Sequence, residues 1–238
     1  MRPPLRAFLF DLGGTLIYPL APWPPIWEEA DRALVRALRH RGAIADEESF
    51  LPRWKERRRG YYAQRKEDAR EHTYRYILQE LLPGLSPVAL EEALAAFFSI
   101  TQPNWHADEQ ALPVLRGLQE RGFRLGLLSN AAEDGDVQQL VDRMGFRPFF
   151  DFILTSAACG YRKPHPLPFQ LALSHWKFSP SEVAMVGDLL AVDILGAKQV
   201  GLFAVWVRRH APPEEEPIPA QPDWTLEHLG DLLERVTE

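Results

Sequence analysis

The hydrophobic pattern along the chain changes period twice. The stretch at 6–10, RAFLF, is a short apolar run that ends at Asp11 and the pair Gly13-Gly14. Such a run predicts a strand buried on both faces, followed by a tight loop. The next segment, YPLAPWPPIW, holds four prolines and two tryptophans and is expected to be a hinge or linker. From 28 to about 82 the spacing turns helical. WEEADRALVRALRHRG sets Ala30, Leu34, Val35 and Leu38 on one face and stops at Gly42. ESFLPRWKERRRGYYAQRKEDAREHTYRYILQELLPG reads as helical over most of its length, with Pro52 near a start and Pro83-Gly84 at the end. SPVALEEALAAFF opens on Ser-Pro, a good helix entry. No strand is expected from 28 to 100.

Strands and helices then alternate. LPVLRGLQERG, DVQQLVDRMG, HPLPFQLALSHW and AVDILGAKQVG predict helices between the strands FRLGLLSN, FDFILTS, EVAMVGD and LFAVWV. PDWTLEHLGDLLERV predicts a short strand leading into a closing helix. This order implies right-handed crossovers and an α/β fold, a doubly wound, Rossmann-like parallel sheet. The expected division is a core of residues 1–18 and 106–238, with an all-helical insert at 19–105 behind the proline-rich hinge. Polar residues gather where the predicted strands end: Asp11, Ser129-Asn130 and Gly187-Asp188. In open α/β sheets that edge binds ligands.

Composition narrows the function classes. Hydrophobic residues at 46% and charged residues at 25% are those of an ordinary globular protein. A net charge of −6 argues against a nucleic-acid partner held by bulk positive charge. Cys159 is the single cysteine, so neither an intrachain disulfide nor a cysteine zinc cluster is expected, and a reducing, cytoplasmic setting is the simplest reading. The N-terminal MRPPLRAFLFDLGG loosely mimics a signal peptide, but Asp11 and the glycines cut its apolar patch too short. No run approaches a membrane span, so no membrane partner is expected.

Four short motifs carry the chemistry: FDLGGT with Asp11 and Thr15, LLSN with Ser129 and Asn130, GYRKPHP with Lys163 ahead of a helix-starting proline, and VGDLLAVD with Asp188 and Asp193. Each alone has a plainer reading. A strand-end acid is often a helix N-cap, Ser-Asn is turn chemistry, and a lysine before proline is usually solvated. In this order and spacing, the four together resemble the haloacid dehalogenase-like hydrolase superfamily, in the branch with a helical cap inserted after the first core strand. The resemblance covers nearly the whole chain. A phosphate site also makes physical sense here. A carboxylate nucleophile and a phosphate repel unless cations sit between them, and two strand-end carboxylates, Asp11 and Asp188, suit a hard cation such as Mg²⁺. Lys163 would neutralise further charge, and the Ser129 hydroxyl could hold a phosphate oxygen. The resemblance implies that Asp11 attacks phosphorus to give an aspartyl-phosphate that water hydrolyses. It also implies that Asp11, Asp188 and the Gly13 carbonyl hold Mg²⁺, and that Asp193 binds the ion through water or positions Lys163. Thr15 steadies the loop, and Ser129, Asn130, Thr15 and Lys163 meet the substrate. Gly187 is expected to let backbone and metal approach closely.

Gly13 departs from the pattern. Phosphatases of this superfamily usually carry a second Asp there, acting as acid on the leaving group and base on the water. A positioned acid/base contributes about 10²–10⁴-fold, so the expected enzyme is slow or favours good leaving groups. Gly13→Asp is expected to speed alkyl ester hydrolysis more than aryl or acyl hydrolysis. The expected function is a Mg²⁺-dependent phosphohydrolase of a small phosphorylated metabolite, working as a monomer or homodimer. The alternatives are a metal-independent 2-haloacid dehalogenase, and a weakly catalytic protein that binds phospholigands. The remaining features are weaker. The basic run RWKERRRGYY at 53–62 is a solvated helix face, with Glu56 pairing at helical spacing, or a grip for an anionic tail. Trp23, Trp27 and Trp105 flank the predicted hinges and either pack the linkers or line a pocket. His165 is a conceivable replacement acid but is expected at the surface. HAPPEEEPIPAQP is expected to be an extended, solvated loop.

Overall fold

The computed structural model describes residues 4–211 and 220–236, apart from the side chains of 65 and 66. Most of the proline- and acid-rich stretch at 210–222 therefore lies outside the described residues. Strand β1, Ala7–Phe10, is the expected buried run. Its side chains alternate between two apolar clusters, Phe8 and Phe10 on one face of the sheet and Ala7 and Leu9 on the other. Burial on both faces is why the run is uninterrupted.

The expected hinge is more regular than its composition suggests. Ile17–Pro19 forms strand β2, and helix α1, Trp23–His40, already contains Pro24 and Pro25. Both prolines sit in the first turn, where the missing N–H has no partner to lose. Ala30, Leu34, Val35 and Leu38 are buried along α1 as the periodicity predicts. The segment 48–84 is helical over most of its length as expected, in two pieces, α2, Glu47–Asp68, and α3, Tyr74–Leu81. Between them Ala69 takes a left-handed φ of 54° and Thr73 caps α3. Helix α4, Pro87–Thr101, starts at the Ser86 cap as expected. No strand falls between residues 28 and 100 among the described residues. Strand β3, Trp105–Ala107, then returns antiparallel to β2, with Pro19 opposite Trp105. The two chain connections into and out of the helical insert are thus zipped into one ribbon, which Asn104 ties further by exchanging hydrogen bonds with Ala21.

The insert has its own apolar cluster, running from Ala30 to Phe97. Within it Asp31, 1% exposed, accepts hydrogen bonds from Trp54 Nε1 and Arg58 Nη2, each at 2.7 Å. The basic run is therefore partly structural: Arg58 pairs with Asp31, Lys55 with Glu28 and Arg57 with Glu80, across helices rather than with Glu56. Asp31→Ala is expected to lower unfolding free energy by roughly 3 kcal/mol, because it strands a half-buried guanidinium and a buried indole N–H. Denaturant unfolding measures this, and a loss under about 0.5 kcal/mol would refute the structural role.

The core then alternates as expected. Helix α5 spans Ala111–Glu120, β4 Arg124–Ser129, α6 Asp134–Arg143, β5 Ile153–Thr155, the short α7 Ser156–Cys159 and α8 Pro166–Ser174. Next come β6, Val183–Gly187, a single π-helical turn at Leu190–Ile194, α9, Leu195–Gln199, and β7, Phe203–Val207. Strand β8, Trp224–Leu226, and α10, Asp231–Arg235, close the fold. The described strands of the main sheet run in the order β5-β4-β1-β6-β7-β8, all parallel, with apolar clusters on both faces. Beyond β1 the chain winds to β4 and β5 on one side and to β6–β8 on the other. The carboxyl end of β1 is therefore the switch point, where a crevice opens. No helix among the described residues is long and apolar enough to cross a membrane.

Candidate active site

Register brings the four motifs together. Phe10 pairs with Leu127 of β4 and Val186 of β6, so Asp11, Ser129 and Asp188 leave the sheet side by side. Asp11 is anchored by its backbone N–H, which donates to Val186 O at 2.9 Å. Lys163 reaches the same point from the loop before α8. Its Nζ donates to Asp11 Oδ1 at 2.6 Å and Leu128 O at 2.8 Å, and forms an ion pair with Asp193 Oδ1 at 2.7 Å. Asp193 sits on the π-helical turn after β6, where its Oδ2 accepts the Leu189 N–H at 3.1 Å. Thr15 Oγ1 faces Asp188 Oδ1 at 3.5 Å, the outer limit of a hydrogen bond. Asp11, Lys163, Asp188 and Asp193 are all 7% exposed or less.

Burial sets the electrostatics. Desolvation first, and then the like charge of Asp193, push the Asp11 carboxyl up to about 6 despite the opposing pull of Lys163. Desolvation, then Asp11 and Asp193, push Asp188 up to about 9. Burial works against the charge on Lys163, but the facing Asp11 and Asp193 outweigh it and raise its pKa. Oxygens of Asp11, Asp188 and Asp193 lie within 4.8 Å of one another. Three buried carboxylates against one ammonium form an all-oxygen donor set with excess negative charge, which fits a hard divalent cation.

Asp11, Lys163 and Asp193 of this cluster lie at the floor of a cavity of about 1040 Å³ between the sheet edge and the helical insert. Asp11, Ser129 and Lys163 line it from the core, and Trp23, Trp27, Arg59 and Tyr62 from the helices. The break between α2 and α3 is tied to the core. There the Glu71 N–H donates to Gly160 O at 2.9 Å, Ser156 Oγ donates to Glu71 Oε2 at 2.6 Å, and Arg162 pairs with the same carboxylate. Arg75 N–H donates to Glu133 Oε1 at 2.7 Å on the core side.

A profile of the haloacid dehalogenase-like hydrolases matches residues 5–201. The chain belongs to this family. It is 30% identical to a ribulose-1,5-bisphosphate 5-phosphatase of Halopiger xanaduensis, over 97% of this chain and 99% of that one. It is 35% identical to a phosphoserine phosphatase of Thermus thermophilus over 69% of this chain, and there it spans only 63% of the relative's length. Its fold is shared with a phosphatase of the family from Thermococcus onnurineus, at TM-score 0.68 and 21% identity, covering 98% of each chain. A 2-haloacid dehalogenase from Pseudomonas syringae matches equally well in shape, at TM-score 0.67 and 24% identity over 98% of each chain.

Within this site several predicted residues make contacts that the sequence did not reveal. Asn130, expected among the substrate-binding groups, spends its amide on Lys163. Its Oδ1 accepts the Lys163 N–H at 2.8 Å and its Nδ2 donates to Lys163 O at 3.1 Å. Thr15, also expected to meet substrate, is turned to Asp188. Gly187 is required by its neighbour. A Cβ there would lie 2.5 Å from Asp193 Oδ2, so the glycine makes room for that side chain. Gly14, with φ of 90°, does the same for Asp188, whose Cγ would be 2.6 Å from its Cβ. The proline after Lys163 does not start the helix. Helix α8 begins at Pro166, and His165 caps it by accepting the Leu167 N–H at 3.2 Å on Nδ1 while its ring stacks on Tyr161. Its Nδ1 is thus spent on the helix cap. Trp206, absent from the sequence reading, donates its indole N–H to Asp188 O at 2.9 Å and holds that segment in place. An indole at the end of an apolar strand, FAVWV, was the available signal.

Gly13 lines the cavity, but the space beside it is tight. The Cη2 atom of Trp105 lies 3.1 Å from where a Cβ would stand. Gly13→Asp therefore does not simply restore an acid, as the sequence suggests; the Trp105 ring must first give way by a few tenths of an ångström.

Proposed function

We propose that the chain is a Mg²⁺-dependent phosphohydrolase of small phosphorylated metabolites that works through an aspartyl-phosphate on Asp11. The observation that carries this reading is the Lys163 ammonium held between Asp11 and Asp193, with the Asp188 carboxylate facing the same point. We place the core at residues 1–18 and 106–238 and the helical cap at 19–105, with the β2–β3 ribbon as the seam between them. Asp11, Asp188 and the Gly13 carbonyl would hold Mg²⁺, which offsets charge on the phosphoryl oxygens. Asp11 is the nucleophile: its free oxygen attacks phosphorus and the ester bond opposite it breaks. Lys163 steadies the anionic group in flight, Asp193 aims its ammonium, and Asn130 fixes its backbone. Ser129, buried at the cavity floor, presents a hydroxyl to a phosphoryl oxygen. Water then attacks the aspartyl-phosphate, releasing orthophosphate and restoring the carboxylate.

A phosphate-release panel of alkyl, aryl and acyl phosphates tests the reading. Activity is expected with Mg²⁺ and is expected to vanish in EDTA. Chloride release from a 2-haloacid in EDTA would replace it with the dehalogenase reading. Tight phosphate-ligand binding without turnover of any ester would replace it with the binding-protein reading.

A further inference from the structure

The apolar side of the cavity is built from three indoles. Trp23 and Trp27 stack with ring centroids 5.7 Å apart and planes 13° apart, and Trp105 leans on Trp23 at 4.9 Å and 59°. Two come from the start of α1 and one from β3, so both chain connections contribute to one wall. All three line the cavity into which Asp11 opens. Trp27 remains 41% exposed, an aromatic face left in water next to a ligand site.

The wall starts where a proton donor would stand. Trp105 fills the space beside Gly13, and the loop Leu12-Gly13-Gly14-Thr15 after Asp11 carries no acid. In-line displacement puts the departing oxygen opposite the Asp11 carboxylate, on the cavity side. The acids that reach the cavity from the helices are engaged. Glu28 is held by Lys55 and Arg32, Asp31 by Trp54 and Arg58, and Asp136 by Gln102 at 2.9 Å. An oxygen that leaves beside Gly13 finds no acid on the loop after Asp11 to protonate it. An alkoxide leaves poorly without a proton, whereas an aryloxide spreads its charge into the ring. The ring is also what an indole wall binds.

We propose that the substrate is the phosphate monoester of a planar aromatic alcohol, whose ring seats on the Trp23–Trp27–Trp105 wall and whose oxygen leaves unprotonated. This deepens the phosphohydrolase reading and rests on it. An Asp11 oxygen forms a bond to phosphorus as the P–O(aryl) bond breaks. The electron pair of that bond leaves on the aryloxide, which takes a proton from water. A second water attacks the phosphorus, the P–O(Asp11) bond breaks, and orthophosphate and the carboxylate result, with the water's proton passing to solvent.

Two measurements test it with the full chain and Mg²⁺. Benzyl and cyclohexylmethyl phosphate have leaving groups of similar basicity and differ in ring planarity. The expected kcat/KM ratio is about tenfold in favour of benzyl, and it is expected to collapse toward one in Trp27→Leu, an exposed position that the fold tolerates. Across substituted phenyl phosphates, kcat/KM is expected to fall steeply as the phenol becomes more basic. A benzyl preference that is absent from the wild type or retained in Trp27→Leu would overturn the proposal. So would rates indifferent to the leaving group. In either case, phosphate release from acyl or ethyl phosphate leaves the hydrolase reading standing. Release from no ester at all would overturn both.

Discussion

Asp11→Asn is expected to reduce phosphate release by at least about 10⁴-fold while leaving the fold intact. The exchange keeps shape and removes the nucleophile. The backbone N–H of residue 11 still donates to Val186 O, and strand β1 stays locked between β4 and β6. What changes is charge. In the wild type, burial and the nearby Asp193 raise the Asp11 carboxyl from 3.8 to about 6 in the folded state. The folded state therefore holds this proton more tightly than the unfolded chain does. That contribution to stability is complete below the unfolded pKa and is lost as pH rises through about 6. Asn has no proton to lose. In EDTA, the melting temperature of Asp11→Asn relative to wild type is expected to climb as pH is raised from about 4 to about 7. An activity that survives the exchange would move the nucleophile elsewhere, and a difference in melting temperature that is flat with pH would show that Asp11 is not the crowded acid described here.

The parts of this molecule that were legible in sequence are those whose signal is local. The runs at β1, β4 and β6 are apolar because both of their faces are buried, so each announces a strand and, at its end, a site residue. The ribbon of β2 and β3 was hidden because each strand has three residues and one contains Pro19; only their pairing over a long span of sequence makes them strands. The break after α2 carries neither Gly nor Pro. It is stabilised from outside, by Gly160 O, Ser156 and Arg162, none of which helical periodicity can see. The site divides the same way. Asp11, Asp188 and Lys163 announce themselves by motif, whereas Asn130 holds Lys163, Trp206 holds Asp188 and Trp105 fills the space beside Gly13 only once the fold has formed. Gly13 was visible as an anomaly, but the Trp105 ring beside it was not, because that ring comes from β3, more than ninety residues further along the chain.

Lys163→Met is expected to damage both function and fold, because a single ammonium serves three acceptors there. Its Nζ lies within 2.8 Å of Asp11 Oδ1, Asp193 Oδ1 and Leu128 O, and the residue is 3% exposed, so water cannot take its place. Loss of a preorganised cation beside the transferred group is expected to cost about 10²–10³-fold in kcat. Loss of the ammonium that faces the buried Asp11 and Asp193 is expected to lower unfolding free energy by roughly 3–5 kcal/mol. The two losses respond differently to pH. Without Lys163 the pull that lowers the Asp11 pKa disappears, so the carboxyl rises further above its unfolded value. The folded variant then binds more protons than the unfolded chain over a wider range, and its stability falls as pH rises. In EDTA the stability penalty is therefore expected to be small at about pH 4 and large at about pH 8, whereas the loss of turnover with Mg²⁺ persists at any pH where the wild type works. Lys163→Arg is expected to recover part of the stability but little of the rate, since a planar fork cannot reproduce three convergent bonds from one nitrogen. A penalty equal at both pH values would mean that the carboxylates find another counter-charge, and that Lys163 is not what lets three acids share one buried point.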